Sequence, residues 1–133
     1  MKLKLLYVLV YFISLCGGQT LIVNTELDTV DANDGLFSIR EAVDSANTSA
    51  GKQIIRFNET VFSPGSNRII YLKSSLGLSD NSGVDTSGVD TRVTLDGSQA
   101  KIFKDAIVLQ SGSNEISNIN FQNFGGSAAR RQQ

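Results

Sequence analysis

Histidine is absent from the 133 residues, and cysteine and proline occur once each, as Cys16 and Pro64. Without histidine, imidazole-based acid–base catalysis and the nucleophilic triads built on it are excluded. The lone cysteine sits in the N-terminal apolar segment, so no disulfide staples the rest of the chain and no thiol nucleophile is available there. Charge is sparse and balanced, 12 Lys and Arg against 13 Asp and Glu for a net −1. No basic patch precedes Arg130-Arg131, which argues against nucleic acid as a partner. The longest apolar run, Leu5 to Leu15, is interrupted only by Ser14 and falls short of the ~20 residues needed to span a bilayer.

That run has the anatomy of a secretory signal. Lys2 and Lys4 make a basic start, the apolar stretch follows, and Cys16-Gly17-Gly18 supplies small residues behind it. Residues 1–18 are expected to be a signal peptide cleaved after Gly18, giving a secreted, extracellular or cell-surface product that meets a membrane only during export. Lipidation of Cys16 is the weaker alternative, because the bulky Leu15 stands where a small residue is wanted. Losing two lysines leaves the remainder more acidic.

The remaining sequence is dominated by Gly, Ser, Asn, Asp and Thr between short β-branched runs, a composition of turns and short strands. Strands are expected at Leu21–Val23, Gln53–Phe57, Arg68–Leu72, Val93–Leu95, Ala106–Leu109 and Ile119–Phe121. Helical periodicity occurs once, with Ile39, Ala42, Val43 and Ala46 at i, i+3, i+4 and i+7. Ser38 before it and Glu41 three residues later form a capping-box pattern. Arg40 and Asp44 lie one turn apart and can pair on the outer face. Asp80–Thr91 contains Ser-Gly-Val-Asp-Thr twice in succession and reads as a solvated loop. Residues 127–133 read as a disordered tail after a domain spanning 19–126.

The strands are too short, and too often continuously apolar, for a sandwich of hairpins. Consecutive apolar residues suit strands buried against stacked neighbours. Ile116-Ser117-Asn118-Ile119-Asn120-Phe121 spaces its apolar residues as if the chain turns a corner at Ser117-Asn118. The expected class is all-β, a short right-handed parallel β-helix of about three coils with an N-terminal capping helix.

Ser38-Ile39-Arg40-Glu41-Ala42-Val43, with Ala46-Asn47, Gly51 and Ile55-Arg56-Phe57 behind it, resembles the Ser-Leu-Arg-Glu-Ala-Ile signature of a family of secreted right-handed parallel β-helix proteins, adhesin-like and pectate-lyase-like. Val23-Asn24-Thr25, Asp28, Asp31 and Asp34-Gly35 precede the helix as in that family, and Val93–Gly97 and Ile116–Asn123 are similar to its first coils. Two departures stand out. Phe37 replaces a cysteine common in the family, and members continue through many more coils. The resemblance implies an exported β-helix and assigns no activity, since fold and chemistry are separable. Ser38, Ile39, Arg40, Glu41, Ala42 and Val43 are expected to form a structural cap, with Ile39, Val43 and Ala46 facing the interior and sealing an otherwise open edge.

Candidate chemistry is thin. Asp28, Asp31, Asn33, Asp34 and Gly35 lack the EF-hand spacing; an irregular calcium site is a weak alternative to an acidic turn feeding a helix N-terminus. Asp80, Asp85, Asp90 and Asp96 could supply carboxylates for a glycoside hydrolase or calcium ligands for a polysaccharide lyase, but a flexible duplicated loop is a poor scaffold. Asn47-Thr48-Ser49 and Asn58-Glu59-Thr60 are glycosylation sequons, which place Asn47 and Asn58 as acceptors in a eukaryotic host. Phe121 and Phe124 could stack on sugars, although interior packing suits Phe121 better. No catalytic, cofactor or metal residue is assigned.

The functional expectation is a structural or adhesin-like surface protein, with an extracellular polysaccharide or surface protein as partner. The alternative is the N-terminal fragment of a polysaccharide-active enzyme, and the abrupt ending 128–133 raises a truncated reading frame as a third. Three coils lie near the lower limit for a stable repeat stack, so self-association through an open C-terminal coil is also expected.

Overall fold

The computed structural model describes residues 18–79, 83–85, 92–100 and 105–132. Residues 1–17 of the expected signal peptide, Cys16 among them, and Asp80 and Asp90 lie outside the described residues. Among the described residues the chain is mostly β, with one helix and three short sheets whose strand pairs are all parallel.

In chain order the elements are β1 (Gln19–Val23), α1 (Ile39–Thr48), β2 (Gln53–Phe57), β3 (Ile69–Tyr71), β4 (Leu76–Leu78), β5 (Gly83–Asp85), β6 (Val93–Asp96), β7 (Ile107–Leu109), β8 (Glu115–Ser117), β9 (Ile119–Gln122) and β10 (Ala129–Arg131). The first sheet runs β1-β2-β5-β8, the second β3-β6-β9 and the third β4-β7-β10. From β2 onward, each strand pairs with the one three places later.

Register puts like residues in columns. Leu21, Ile55, Val84 and Ile116 align across the first sheet, and Ile70, Leu95 and Phe121 across the second. Apolar residues repeated in register bury one another, which compensates for strands of three to five residues that could not persist singly. Ile55, Ile70, Leu72, Leu76, Leu78, Val84, Leu95 and Ile107 are fully buried, joined by Phe62, whose ring meets Phe57 edge-on at 5.3 Å. Burial weakens toward the last strands, where Ile116, Ile119 and Phe121 are only partly covered.

The corner expected at Ser117-Asn118 is present. Asn118 alone separates β8 from β9, which belong to different sheets, and it adopts φ 56°. Asparagine tolerates the left-handed region better than other non-glycine residues, because its short side chain can bond locally.

The structure departs from the sequence reading in several ways, the first being β4, Leu76–Leu78, which is not among the expected strands. Gly83–Asp85, taken as solvated loop, form β5 between β2 and β8, with Val84 buried. Ala129–Arg131, placed in a disordered tail, pair with β7. Asp105 anchors that segment, accepting from the Ser127 N–H at 2.9 Å and pairing with Arg130 Nε at 2.9 Å. Arg40 turns away from Asp44 to bind Asp28, because a carboxylate already fixed within the fold offers a better partner than a mobile surface one.

Candidate functional site

Three constellations gather polar side chains. The first surrounds α1. Ser38 Oγ accepts from the Glu41 N–H at 3.2 Å, and Glu41 Oε2 accepts from the Ser38 N–H at 2.8 Å, completing the capping box. Ser38 Oγ also donates to the Thr29 carbonyl, and Glu41 Oε1 accepts from the Asp31 N–H at 2.9 Å. These bonds, the Ser38 N–H above all, hold the Glu41 carboxyl below its ordinary pKa. Ile39, Ala42, Val43 and Ala46 are buried in the core, so the apolar stripe faces inward as its spacing requires.

The polar side of α1 attends to the outermost strand of the third sheet. Among the described residues β4 pairs only with β7, leaving its other edge to be satisfied. Asn47 does so: Nδ2 donates to the Gly77 carbonyl at 2.7 Å, and Oδ1 accepts from the Ser79 N–H and hydroxyl, both at 3.0 Å. Arg40 continues the job, donating through Nη2 to the Ser74 carbonyl at 2.9 Å while its Nε and Nη2 grip both Asp28 oxygens at 2.7 Å. Asp28 Oδ2 also accepts from the Lys73 N–H at 2.7 Å. The helix, the acidic loop and the β3–β4 corner are thereby tied together.

The acidic loop itself is turn chemistry. Asp31 Oδ1 accepts from the Asn33 N–H at 3.0 Å and Asp34 Oδ1 from the Leu36 N–H at 2.8 Å, while Gly35 takes φ 72°. Among the described residues no cluster of three metal-ligating side chains occurs.

The two sequon asparagines differ. Asn47 commits its amide nitrogen to the Gly77 carbonyl. Asn58 bonds through its oxygen alone, accepting from the Thr60 and Val61 N–H groups at 2.9 and 3.1 Å.

The second constellation centres on Asp96 at the end of β6. The residue is 2% exposed, with Oδ1 accepting from the Ser98 N–H at 2.7 Å and Oδ2 from Gln122 Nε2 at 2.6 Å and Asn123 Nδ2 at 2.8 Å. Burial pushes its pKa up, but hydrogen bonds from Ser98, Gln122 and Asn123 outweigh that and bring it from 3.8 to about 2. A carboxylate so fully engaged holds two successive strands together and is poorly suited to proton transfer. Asp85 belongs to β5 by its backbone, 11 positions before Asp96 and in a different sheet. Phe124 meets Phe121 edge-on at 6.4 Å and covers Gly97, where an added Cβ would lie 2.6 Å from Phe124 Cδ1.

The third is an open groove of about 610 Å³ at the entrance to the second sheet, lined by Gly65, Ser66, Asn67, Arg68, Ile69, Arg92 and Asn120. Arg68 precedes β3, Arg92 precedes β6 and Asn120 lies in β9, so parallel stacking brings them together from three separate stretches. Sequence reasoning singled out neither arginine, and only the register reveals their meeting.

No protein-family model, curated protein or solved structure matches the chain.

Proposed function

We propose that this chain is the capped N-terminal segment of a right-handed parallel β-helix, exported to the cell surface or beyond, with a structural, adhesin-like role. The observation that carries the proposal is the pairing of every third strand. A chain that visits three parallel sheets in turn and then returns to the first lays down one coil per circuit, here β2–β4, β5–β7 and β8–β10. Connections between parallel strands are right-handed almost without exception. The placement of α1 over the first circuit, with Asn47 and Arg40 bonded to the β4 edge, supports a lid that prevents further strand addition. Membership of the secreted family that Ser38–Val43 resembles is part of this proposal. Export rests on the basic and apolar character of residues 1–18.

A structural role is preferred to catalysis because Asp28 and Asp96, the two buried carboxylates among the described residues, have both oxygens occupied. The experiment is expression of the full chain in a secreting host, with fractionation and N-terminal sequencing of the product. Recovery outside the cytoplasm with Gln19 as first residue is expected; a cytoplasmic protein retaining Met1 or Lys2 would overturn export. Incubating the purified protein with uronate polymers and glycan libraries, with and without calcium, tests the enzyme alternative, which requires turnover.

A further inference from the structure

We propose that the groove beside the second sheet is a binding site for an anionic polysaccharide, with Arg68 and Arg92 as the anion-recognising pair. The inference rests on the reading of the chain as a stack of parallel circuits, since that stacking is what juxtaposes residues 24 positions apart. It adds a ligand class and a location to that reading.

Several observations converge. Arg68 is held in place from behind: its Nε donates to the Ser63 carbonyl at 2.9 Å, and the same carbonyl accepts from the Ser66 N–H at 3.0 Å and hydroxyl at 2.8 Å. Gly65, at φ 86°, makes the tight turn that brings Ser63 and Ser66 together. With Nε occupied, the two terminal nitrogens of Arg68 make no bond among the described residues and remain for a ligand. Arg92 is exposed and has neither an ion pair nor a hydrogen bond among the described residues. Among the described residues that line the groove, two carry a guanidinium and none a carboxylate.

A guanidinium presents parallel N–H donors that match a planar carboxylate or a sulfate ester bidentately. Asn120 offers a donor and an acceptor for hydroxyl groups, and Asn67, whose Oδ1 accepts from the Ile69 N–H at 3.2 Å, offers its amide donor; both are exposed on the groove. The groove is open rather than enclosed, which suits a polymer laid across the surface better than a small ligand that must be desolvated on all sides. Anionic charge together with a high density of hydroxyls describes an acidic or sulfated glycan.

The experiment is affinity electrophoresis of the purified full chain in gels cast with polygalacturonate, dextran sulfate or neutral dextran. Retardation by at least one anionic polymer, absent with neutral dextran and relieved by 0.5 M salt at roughly the concentration where surface charge is screened, is expected. The polymer that retards identifies carboxylate or sulfate as the recognised group. Arg92→Ala, at a side chain without partners, should reduce retention about tenfold while leaving the circular dichroism spectrum unchanged, and Arg92→Lys should restore part of it. Arg68→Ala adds a second test, its fold checked by the same spectrum. No retardation by either anionic polymer, or undiminished retardation of Arg92→Ala, would overturn the proposal. Because the assay uses purified protein, failure here leaves the export and stacking readings standing, and a failure of export leaves this result interpretable.

Discussion

Asp28 and Arg40, twelve positions apart, meet through two parallel hydrogen bonds of 2.7 Å, with the Asp28 side chain fully buried and that of Arg40 21% exposed. The pair fastens the acidic loop to the first turn of α1, and the Arg40 contacts with Ser74 and Asp28's contact with Lys73 extend the fastening to the β3–β4 corner. Arg40→Ala would strand the buried carboxylate, and breaking a pair of this kind costs about 3–5 kcal/mol. Arg40→Lys keeps the charge but loses the fork, and is expected to fall between the two. Urea denaturation of the three proteins checks the order; equal midpoints for Arg40→Ala and the parent would remove the pair from the account.

Val43 is 3% exposed and belongs to the buried face of α1. A carboxylate there must either be buried unpaired or drive the helix off the core. Val43→Asp is expected to lower stability by several kcal/mol, on the order of the largest single-residue effects, and to expose the β4 edge to association. Light scattering together with thermal melting reads both consequences. A soluble, monomeric and equally stable variant would rule out the lid role of the helix.

Asn47→Ala removes the bonds that its amide makes to the Gly77 carbonyl and the Ser79 N–H at this half-buried edge. Losing such hydrogen bonds costs about 1 kcal/mol each. The Ser79 amide should then exchange with solvent faster than in the parent, while amides of β6 stay protected. Uniform exchange in the two proteins would show that α1 holds the edge without Asn47.

How far these features are legible in the sequence depends on how local their causes are. The capping box at Ser38 and Glu41 is a three-residue relation, and the apolar stripe of α1 repeats within two turns, so both can be read directly. The Asn118 corner also declares itself, through the apolar spacing of Ile116, Ile119 and Phe121. By contrast, β5 contains one apolar residue, Val84, inside a polar duplication; it becomes a strand because Ile55 and Ile116 flank it in space. Nothing in Ala129–Arg131 signals a strand, since all three residues are exposed and are held by β7 and Asp105. Helical spacing pairs Arg40 with Asp44, while its partner in the fold, Asp28, lies in a loop whose path no periodicity reveals. The Arg68–Arg92 groove is the extreme case, since it exists only through the register of three strands.

Asp96 carries the acid sensitivity of the second sheet. Its pKa falls on folding, from 3.8 to about 2, so ionised Asp96 stabilises the folded chain at neutral pH. That contribution fades as the pH drops through 3.8 and is gone only below about 2, where the carboxyl is protonated in both states. Asp96→Asn replaces an acceptor with a donor facing the Gln122 and Asn123 amides, and is expected to cost about 1–3 kcal/mol at pH 7. The gap between variant and parent should narrow below pH 3.8. Denaturant titrations across that range check it, and a constant gap would contradict the role given to the carboxylate.

Gly97 stands where a Cβ would lie 2.7 Å from the Asn123 carbonyl as well as against Phe124, whereas an added Cβ at Gly125 meets nothing within 4 Å. Gly97→Ala is therefore expected to destabilise by about 1–3 kcal/mol through overpacking, with Gly125→Ala close to neutral. Thermal melts of the two variants make the comparison, and equal melting temperatures would mean that β6 and β9 do not pack as described.

Parallel stacking of successive circuits is the claim on which the lid, the Asp96 ladder and the arginine groove all depend. Nuclear Overhauser contacts across the first sheet read it most directly, at the column formed by Ile55, Val84 and Ile116. The account predicts backbone amide-to-α-proton contacts of parallel type linking Ile55 with Val84 and Val84 with Ile116. Strong contacts between α-protons of opposed strands, the mark of antiparallel hairpins, or the lack of any contact between these three residues would contradict it.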